Sequence, residues 1–137
     1  MSRSRDSALP VQVIVEGGCH CGAVAFAVQG TPRAALLCNC SICTMKGYLH
    51  WIVPRASFRL VSPASEEDLP VYRFGTGVAQ HRFCGVCGVA PFYVPRSDPD
   101  KIDVNLRCVR GVDLGALALE TFDGQRWEAA YETYRRG

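Results

Sequence analysis

The apolar residues of this chain recur in short segments, and turn-forming Gly, Pro, Ser and Asp residues separate these segments from one another. Short apolar segments bounded by turn residues are typical of β-strands. The sequence predicts strands over residues 11–15, 23–28, 48–53, 57–61, 71–74, 80–84, 90–94 and 102–106. In the last of these, apolar and polar residues alternate, which predicts a strand buried on one side and exposed on the other.

Helix is expected in two places only. A single helical turn is expected after Cys40. The segment 125–135 places four residues on one face of a helix, and we expect this largely aromatic face to pack against a sheet because large apolar side chains are usually buried. These residues are Trp127, Ala130, Tyr131 and Tyr134.

The predicted fold class is mainly β. We expect a single, largely antiparallel domain over residues 11–137 with a short C-terminal helix, since 137 residues fit one domain of ordinary size. Residues 1–10 are expected to form a disordered tail. A hydrophobic share of 48% with 20% charged residues excludes a natively disordered chain.

Charge and targeting signals narrow the partners and the compartment. A formal charge of +2 gives no argument for nucleic acid, and no Lys/Arg stripe supports one. The polar start of the chain, and the Pro10, Gln12 and Glu16 that break its first apolar stretch, predict neither a secretory signal nor a membrane span. We therefore expect a reducing, cytoplasmic location. A small-molecule substrate and a homodimer are separate expectations, which these features do not decide.

Seven of the eight cysteines fall in three tight groups. Two cysteines separated by one residue lie on the same side of an extended chain, and a CxxC turn also brings two sulfurs together. Such spacings indicate metal binding, because neighbouring cysteines of this kind are poorly placed to form disulfides with each other. Cys108 stands alone and is interpreted as a packing residue. The three groups are Cys19 and Cys21; Cys38, Cys40 and Cys43; and Cys84 and Cys87.

The spacings leave open which groups share a metal. In one arrangement the two CxxC units, Cys40/Cys43 and Cys84/Cys87, form one zinc ribbon. In the other, one site has four cysteines and a second has only three. The difference bears on function, because structural zinc sites are four-coordinate whereas catalytic sites keep a position open. The four-cysteine site of the second arrangement comprises Cys19, Cys21, Cys84 and Cys87, and its three-ligand site Cys38, Cys40 and Cys43.

Three motifs resemble those of the glutathione-dependent formaldehyde-activating enzyme family. They are GGCHCGAV at 17–24, CNCSIC at 38–43 and FCGVCG at 83–88, in the order found in that family. The resemblance spans residues 16–131. The sequences AQHRF at 79–83 and FYVPRS at 92–97 are most similar to the branch of the family that contains centromere protein V, as are Asn39 and the FDGQRWE segment at 122–128.

The resemblance implies a β-tent fold of antiparallel sheets held by two zinc ions per chain. It implies that Cys19, Cys21, Cys84 and Cys87 bind a structural zinc and that Cys38, Cys40 and Cys43 bind a second zinc of catalytic type. The activity implied is that of a carbon–sulfur lyase that joins the glutathione thiol to formaldehyde. Asn39 stands where the enzymes that define this activity often carry His; zinc binding should survive this change, whereas substrate contacts should differ.

Three thiolates around a zinc leave a net charge of −1, which favours binding of a further thiol over polarisation of a carbonyl. An oriented glutathione thiolate could then attack an aldehyde. The candidate substrate contacts are Asn39, Tyr48 and His50, and a purely structural role for His50 is the alternative. His81 either donates to a cysteine sulfur or lines the sheet, and His20 is not expected to be a ligand.

Two further interpretations stay open at this stage. In the first, the domain is a non-catalytic zinc-binding module that recruits a protein partner through an exposed patch. In the second, it is an enzyme of the same fold that acts on an unrelated small molecule, because fold alone does not fix function.

Overall fold

Ten short strands and two α-helices make up most of the regular structure in residues 13–136, the part of the chain that this computed structural model describes. The predicted disordered tail at 1–10 lies outside the described residues. The helices are α1 (Ser41–Lys46) and α2 (Trp127–Arg136). The strands are β1 (Ile14–Gly18), β2 (Ala25–Gln29), β3 (Ala34–Cys38), β4 (His50–Pro54), β5 (Phe58–Ser62), β6 (Val71–Tyr72), β7 (His81–Arg82), β8 (Phe92–Tyr93), β9 (Lys101–Asn105) and β10 (Ala118–Phe122).

The strands form two larger sheets and one small pair. The first sheet has the order β1-β2-β5, the second has the order β10-β3-β4-β9-β8, and β6 pairs with β7. The two larger sheets share the hydrophobic core: the ring of Phe92 lies 6.5 Å from that of Phe26 and 4.9 Å from that of Phe58, measured between centroids. Aromatic pairs at these separations add to the stability gained from burial. One face of the five-stranded sheet therefore packs against the hydrophobic core.

The opposite face of the five-stranded sheet presents polar side chains, among them those of His50 and Asp103. In a strand, successive side chains point to opposite faces, so alternate residues share one side. Trp51 and Val53 of β4 belong to the core side, whereas His50 and Ile52 face the other way. In β9, Ile102 and Val104 are core residues and Asp103 lies on the second face.

The mainly β fold class with a short C-terminal helix is confirmed. Two strands were not predicted, Ala34–Cys38 and Ala118–Phe122, and they pair with each other in parallel, so the sheet is mixed rather than purely antiparallel. Most of the strand Ala118–Phe122 is exposed, so its sequence lacks the alternation of apolar and polar residues by which a half-buried strand is recognised. The strand Ala34–Cys38 ends at the first cysteine of the CNCSIC motif. From the sequence alone, its last residues therefore resemble part of a metal-binding loop.

The prediction that one side of β9 is exposed to solvent is wrong. Its polar residues Asp103 and Asn105 are buried, as are Ile102 and Val104. Alternation of polar and apolar residues normally indicates that one face meets water. Here the polar face is covered by other parts of the chain, so the alternation marks a buried polar site.

Helix α2 packs against the strands through its aromatic residues, as predicted. The ring centroid of Phe122 lies 6.3 Å from that of Trp127 and 5.9 Å from that of Tyr134. The Tyr134 hydroxyl donates to Asp98 Oδ2 at 2.7 Å, which ties the helix to the turn before β9. Within residues 13–136, no helix has the length and apolar character needed to cross a membrane.

Candidate metal centres and the cavity beside them

Cys19, Cys21, Cys84 and Cys87, called here the first cluster, bring their four sulfurs within 4.8 Å of one another. The Cys21 sulfur lies 3.6 Å from the sulfur of Cys19 and 3.6 Å from that of Cys84. A tetrahedral zinc with bonds of about 2.3 Å requires sulfur–sulfur separations of about 3.8 Å, whereas a disulfide requires about 2.05 Å. All eight cysteines are free, so the four sulfurs are spaced as ligands of one metal ion.

Backbone N–H groups point at the sulfurs of this cluster. Val24 donates to Cys19 Sγ at 3.2 Å, and Val86 donates to Cys84 Sγ at 3.3 Å. Hydrogen bonds from the backbone of Val89 and of Cys21 lower the pKa of Cys87 to about 6. Hydrogen bonds to a charged group favour its charged form, so the local backbone stabilises the thiolates that a metal needs.

Cys38, Cys40 and Cys43, called here the triplet, form a second group whose sulfurs lie within 4.8 Å of one another. Cys38 ends β3, Cys40 is the residue before α1, and Cys43 is buried within that helix. The thiols of Cys38 and Cys43 lower the pKa of Cys40, and those of Cys38 and Cys40 raise that of Cys43. Neighbouring thiols at such distances titrate as a group, and together they form the kind of donor set that soft metal ions prefer.

The geometry separates the two arrangements that the spacings leave open. The CxxC turn that contains Cys84 and Cys87 lies with Cys19 and Cys21, and Cys40 and Cys43 group with Cys38. The single zinc ribbon is therefore not the arrangement found. Both groups could hold zinc, four sulfurs in one and three in the other.

The backbone of Gly124 packs closely against the triplet. A Cβ atom at this position would lie 2.5 Å from the Cys38 sulfur and 2.7 Å from the Cys40 Cβ. Asn39 holds this approach in place: its side-chain amide donates to Asp123 Oδ1 at 3.0 Å and its Oδ1 accepts from the backbone N–H of Gln125 at 3.1 Å. The 123–125 turn thus packs on the triplet only because residue 124 lacks a side chain.

Gly124→Ala is therefore expected to displace Cys38 and Cys40 and to weaken metal binding at the triplet by roughly tenfold or more, the loss typical of disturbing a ligand's immediate surroundings. Competition with a chromophoric chelator measures this affinity. Gly115→Ala is the matched control, because a Cβ there comes no closer than 3.4 Å, to a side-chain oxygen of Asp113. An unchanged triplet affinity in Gly124→Ala would contradict this account of the site.

A cavity of about 430 Å³ lies against the triplet. The polar face of the five-stranded sheet forms one wall, α2 contributes Trp127 and Tyr134, and the 74–79 loop contributes Phe74. All three triplet cysteines line the cavity, whereas none of the first-cluster cysteines is among its described lining residues. Its volume is in the range of about 300–1,000 Å³ usual for small-molecule sites.

A histidine–aspartate pair, called here the dyad, lies in the sheet wall of this cavity. His50 Nδ1 is 2.6 Å from Asp103 Oδ2, and both side chains are almost fully buried. The Tyr48 hydroxyl donates to the backbone oxygen of Asp103 at 3.0 Å, and the Tyr48 ring lies 4.8 Å from the His50 ring. Burial raises the pKa of Asp103, and proximity to His50 partly offsets this.

His81 completes an aromatic stack beside the dyad. Its ring lies 4.6 Å from the Tyr93 ring and 5.6 Å from the Phe74 ring, nearly parallel to both. Burial, followed by the charge of Lys46, lowers the pKa of His81 to about 4. At neutral pH His81 is therefore uncharged and lines the cavity.

Arg96 lies at the cavity beside the C-terminal helix. Its guanidinium carbon is 3.6 Å from the centroid of the Trp127 ring, and it donates to Glu128 Oε1 at 2.8 Å. A guanidinium over an indole face is held by cation–π attraction and retains donors for a carboxylate. The Glu128 side chain is 82% exposed, so its ion pair with Arg96 is weak and replaceable.

Of the three candidate substrate contacts, the structure places His50 in the cavity wall. Neither Asn39 nor Tyr48 is among the described residues that line the cavity; their polar groups bond within the chain. Sequence reasoning missed Asp103 and Arg96. For Asp103 the sequence did carry a signal, namely an aspartate between the apolar residues of β9. In an alternating strand such a residue is expected to face solvent.

The structure thus defines a mainly β protein with two cysteine clusters that could hold zinc, one of which opens onto a cavity. The model of the family described as glutathione-dependent formaldehyde-activating enzyme matches residues 14–134. The chain belongs to this family. The match does not distinguish branches within the family, so placement beside centromere protein V stays a prediction.

A solved structure agrees with this assignment. A Rhodobacter sphaeroides protein, known from its crystal structure, is 35% identical to this chain and superposes with a TM-score of 0.66. The match covers 76% of this chain and 98% of that protein. The fold is therefore shared over almost the entire length of that relative.

Proposed function

We propose that this protein is a zinc-dependent carbon–sulfur lyase that forms and cleaves the adduct between glutathione and formaldehyde. The observation that carries the proposal is that Cys38, Cys40 and Cys43 all line a cavity of small-molecule size. The first cluster has four sulfurs and lies outside that lining, as suits a structural site. Family membership supplies the reaction class.

The donor set fits two zinc ions per chain, because thiolate sulfur is a preferred ligand of zinc. In this proposal the first cluster holds the structural ion and the triplet holds the second. Zinc bound by three thiolates leaves room for a thiol and lowers the pKa of that thiol. The chain's own contribution is to orient the reactants and to limit the access of water.

Arg96 is the group best placed to orient a carboxylate-bearing thiol. Glutathione has two carboxylates, and a bidentate guanidinium is well suited to one of them. The stack on Trp127 fixes the guanidinium plane before substrate arrives, so little conformational entropy is lost on binding. Displacement of the exposed Glu128 carboxylate would leave Arg96 free to bind the substrate carboxylate.

Arg96→Gln is expected to raise the KM for glutathione by roughly tenfold, the loss of one charge-assisted contact, with little change in kcat. The same variant should leave the KM for 2-mercaptoethanol, a thiol without a carboxylate, unchanged. Arg59→Gln serves as the control, because Arg59 is exposed on the other sheet and carries the same charge. Equal effects on both thiols would contradict carboxylate recognition by Arg96.

The proposal is tested by magnetisation-exchange NMR of glutathione and formaldehyde at equilibrium. We expect zinc-loaded wild-type protein to accelerate exchange between the free thiol and the adduct. We expect Cys43→Ser, loaded to the same level at the first cluster, to give only the uncatalysed rate. Exchange at the uncatalysed rate with wild-type protein would overturn this function.

Eight free cysteines suit a reducing compartment, and we propose a cytoplasmic location on this ground. Burying ionisable side chains costs free energy, and such groups are concentrated at catalytic and binding sites. The buried His50–Asp103 dyad in the cavity wall therefore favours an enzyme over a non-catalytic interaction module.

A further inference from the structure

We propose that His50 is the acid–base residue of this cavity, carrying the proton from the thiol to the aldehyde oxygen, and that Asp103 is its positioning residue. This inference rests on the proposed function and extends it to two residues of the sheet wall. Its basis is the register of three neighbouring strands, the buried His50–Asp103 contact, and a ring nitrogen of His50 that has no hydrogen-bond partner within residues 13–136.

The sheet register brings the two side chains together. His50 of β4 pairs with Asn105 of β9, and Ile52 pairs with Asp103, so His50 and Asp103 are diagonal neighbours on one face. Tyr93 of β8 pairs with Asp103 and shares that face. These positions are set by regular strand pairing, which makes the geometry of the dyad more rigid than that of a loop.

The hydrogen bond between the two residues determines where the imidazole proton lies. His50 Nδ1 lies 2.6 Å from Asp103 Oδ2. Because an ionised carboxylate only accepts hydrogen bonds, we assign the ring proton to Nδ1 and the lone pair to Nε2. His50 Nε2 is buried and has no hydrogen-bond partner among the described residues. A buried polar atom without a partner is rare, and this one belongs to a side chain that lines the cavity.

His50 is not placed as a ligand of the triplet metal. The described His, Cys, Asp and Glu atoms that lie mutually within 4.8 Å at this site are the three triplet sulfurs alone. The Nε2 lone pair is therefore outside the ligand group, although His50 and the triplet line the same cavity. An imidazole oriented by a carboxylate can transfer a proton to and from a bound reactant.

The proposed step balances in atoms and electrons. The thiol S–H bond breaks and its proton goes to His50 Nε2, while the sulfur electron pair forms the new bond to the aldehyde carbon. The π electrons of the C=O bond move to oxygen, which then takes the proton back from Nε2. The product is the hydroxymethyl thioether, and the imidazole returns to its starting state without an external acid or base.

The groups that face His50 leave it free to perform this role. Burial is the main cause that raises the pKa of both Tyr48 and Tyr93, so both stay protonated. The pKa of His81 is lowered to about 4, so His81 stays neutral and cannot act as an acid near pH 7. A positive charge on His50 is compensated by Asp103, whose carboxylate is otherwise destabilised by burial.

The test combines exchange rates with nitrogen-15 NMR of the His50 ring. We expect His50→Gln to slow catalysed glutathione–formaldehyde exchange by roughly 100-fold or more at unchanged zinc content, the size typical of a lost acid–base group. We expect Asp103→Asn to slow it also, and to move the ring proton of His50 from Nδ1 to Nε2. Asp100→Asn is the matched control, an exposed aspartate just before β9.

The outcomes separate this inference from the proposed function. Wild-type acceleration that His50→Gln retains would overturn the inference and leave the function standing. A proton on Nε2 of His50 in the wild type, or an unchanged tautomer in Asp103→Asn, would overturn the positioning role of Asp103. No acceleration by the wild type would overturn the function and this inference with it.

Discussion

Cys43→Ser is expected to lower the zinc content of the purified protein from about two atoms per chain to about one. Cys43 is the buried member of the triplet, and serine removes its sulfur with little change in size. Two remaining sulfurs are too few to hold zinc against solvent or chelators, whereas the four sulfurs of the first cluster are untouched. The variant should stay folded and lose the catalysed exchange.

Metal analysis after gel filtration measures this effect, and circular dichroism reports whether the fold is kept. Cys108→Ser is the control, because Cys108 is a free cysteine outside both clusters. A Cys43→Ser protein that still contains about two zinc atoms per chain would show that the triplet is not the second site.

Cys84→Ser is expected to destabilise the whole fold rather than only one site. Cys84 is buried, belongs to the hydrophobic core, and shares the first cluster with Cys19 and Cys21 from the β1–β2 turn. A structural zinc supplies much of the folding free energy of small metal-binding domains. We expect the midpoint of thermal unfolding to fall by roughly 10–20 °C, or the variant to unfold at 25 °C.

Thermal unfolding followed by circular dichroism tests this expectation, with Cys43→Ser as the comparison. The two variants remove the same atom from two clusters, so a larger loss of stability in Cys84→Ser assigns the structural role to the first cluster. Equal midpoints in the two variants would contradict the division into a structural and a catalytic centre.

The cysteine motifs were predictable from the sequence because ligand spacing is a local property of the chain. Each CxC or CxxC unit presents two sulfurs whatever the rest of the fold does. The sharing of Cys84 and Cys87 with Cys19 and Cys21 depends on long-range packing, so only the family resemblance pointed to it before the structure. The prediction of one domain over residues 11–137 and the homodimer stay predictions.

The dyad could not be predicted, because its partners come from strands that are distant in sequence. Asp103 follows His50 by more than fifty residues, and their contact depends on the pairing of β4 with β9. Alternation in β9 suggested a solvent-facing aspartate, since the pattern is the same for a polar face that meets water and one that meets a cavity. Only the burial of Asp103 distinguishes the two.

The central claim is that the triplet, and not the first cluster, receives the thiol substrate. Cadmium-113 NMR of the cadmium-loaded protein tests it most directly, because the shift of each ion reports how many sulfurs surround it. We expect two signals, of which one moves towards the position of the four-sulfur site when glutathione is added, in the wild type and not in Cys43→Ser. Two signals that both stay unchanged with saturating glutathione would contradict the account.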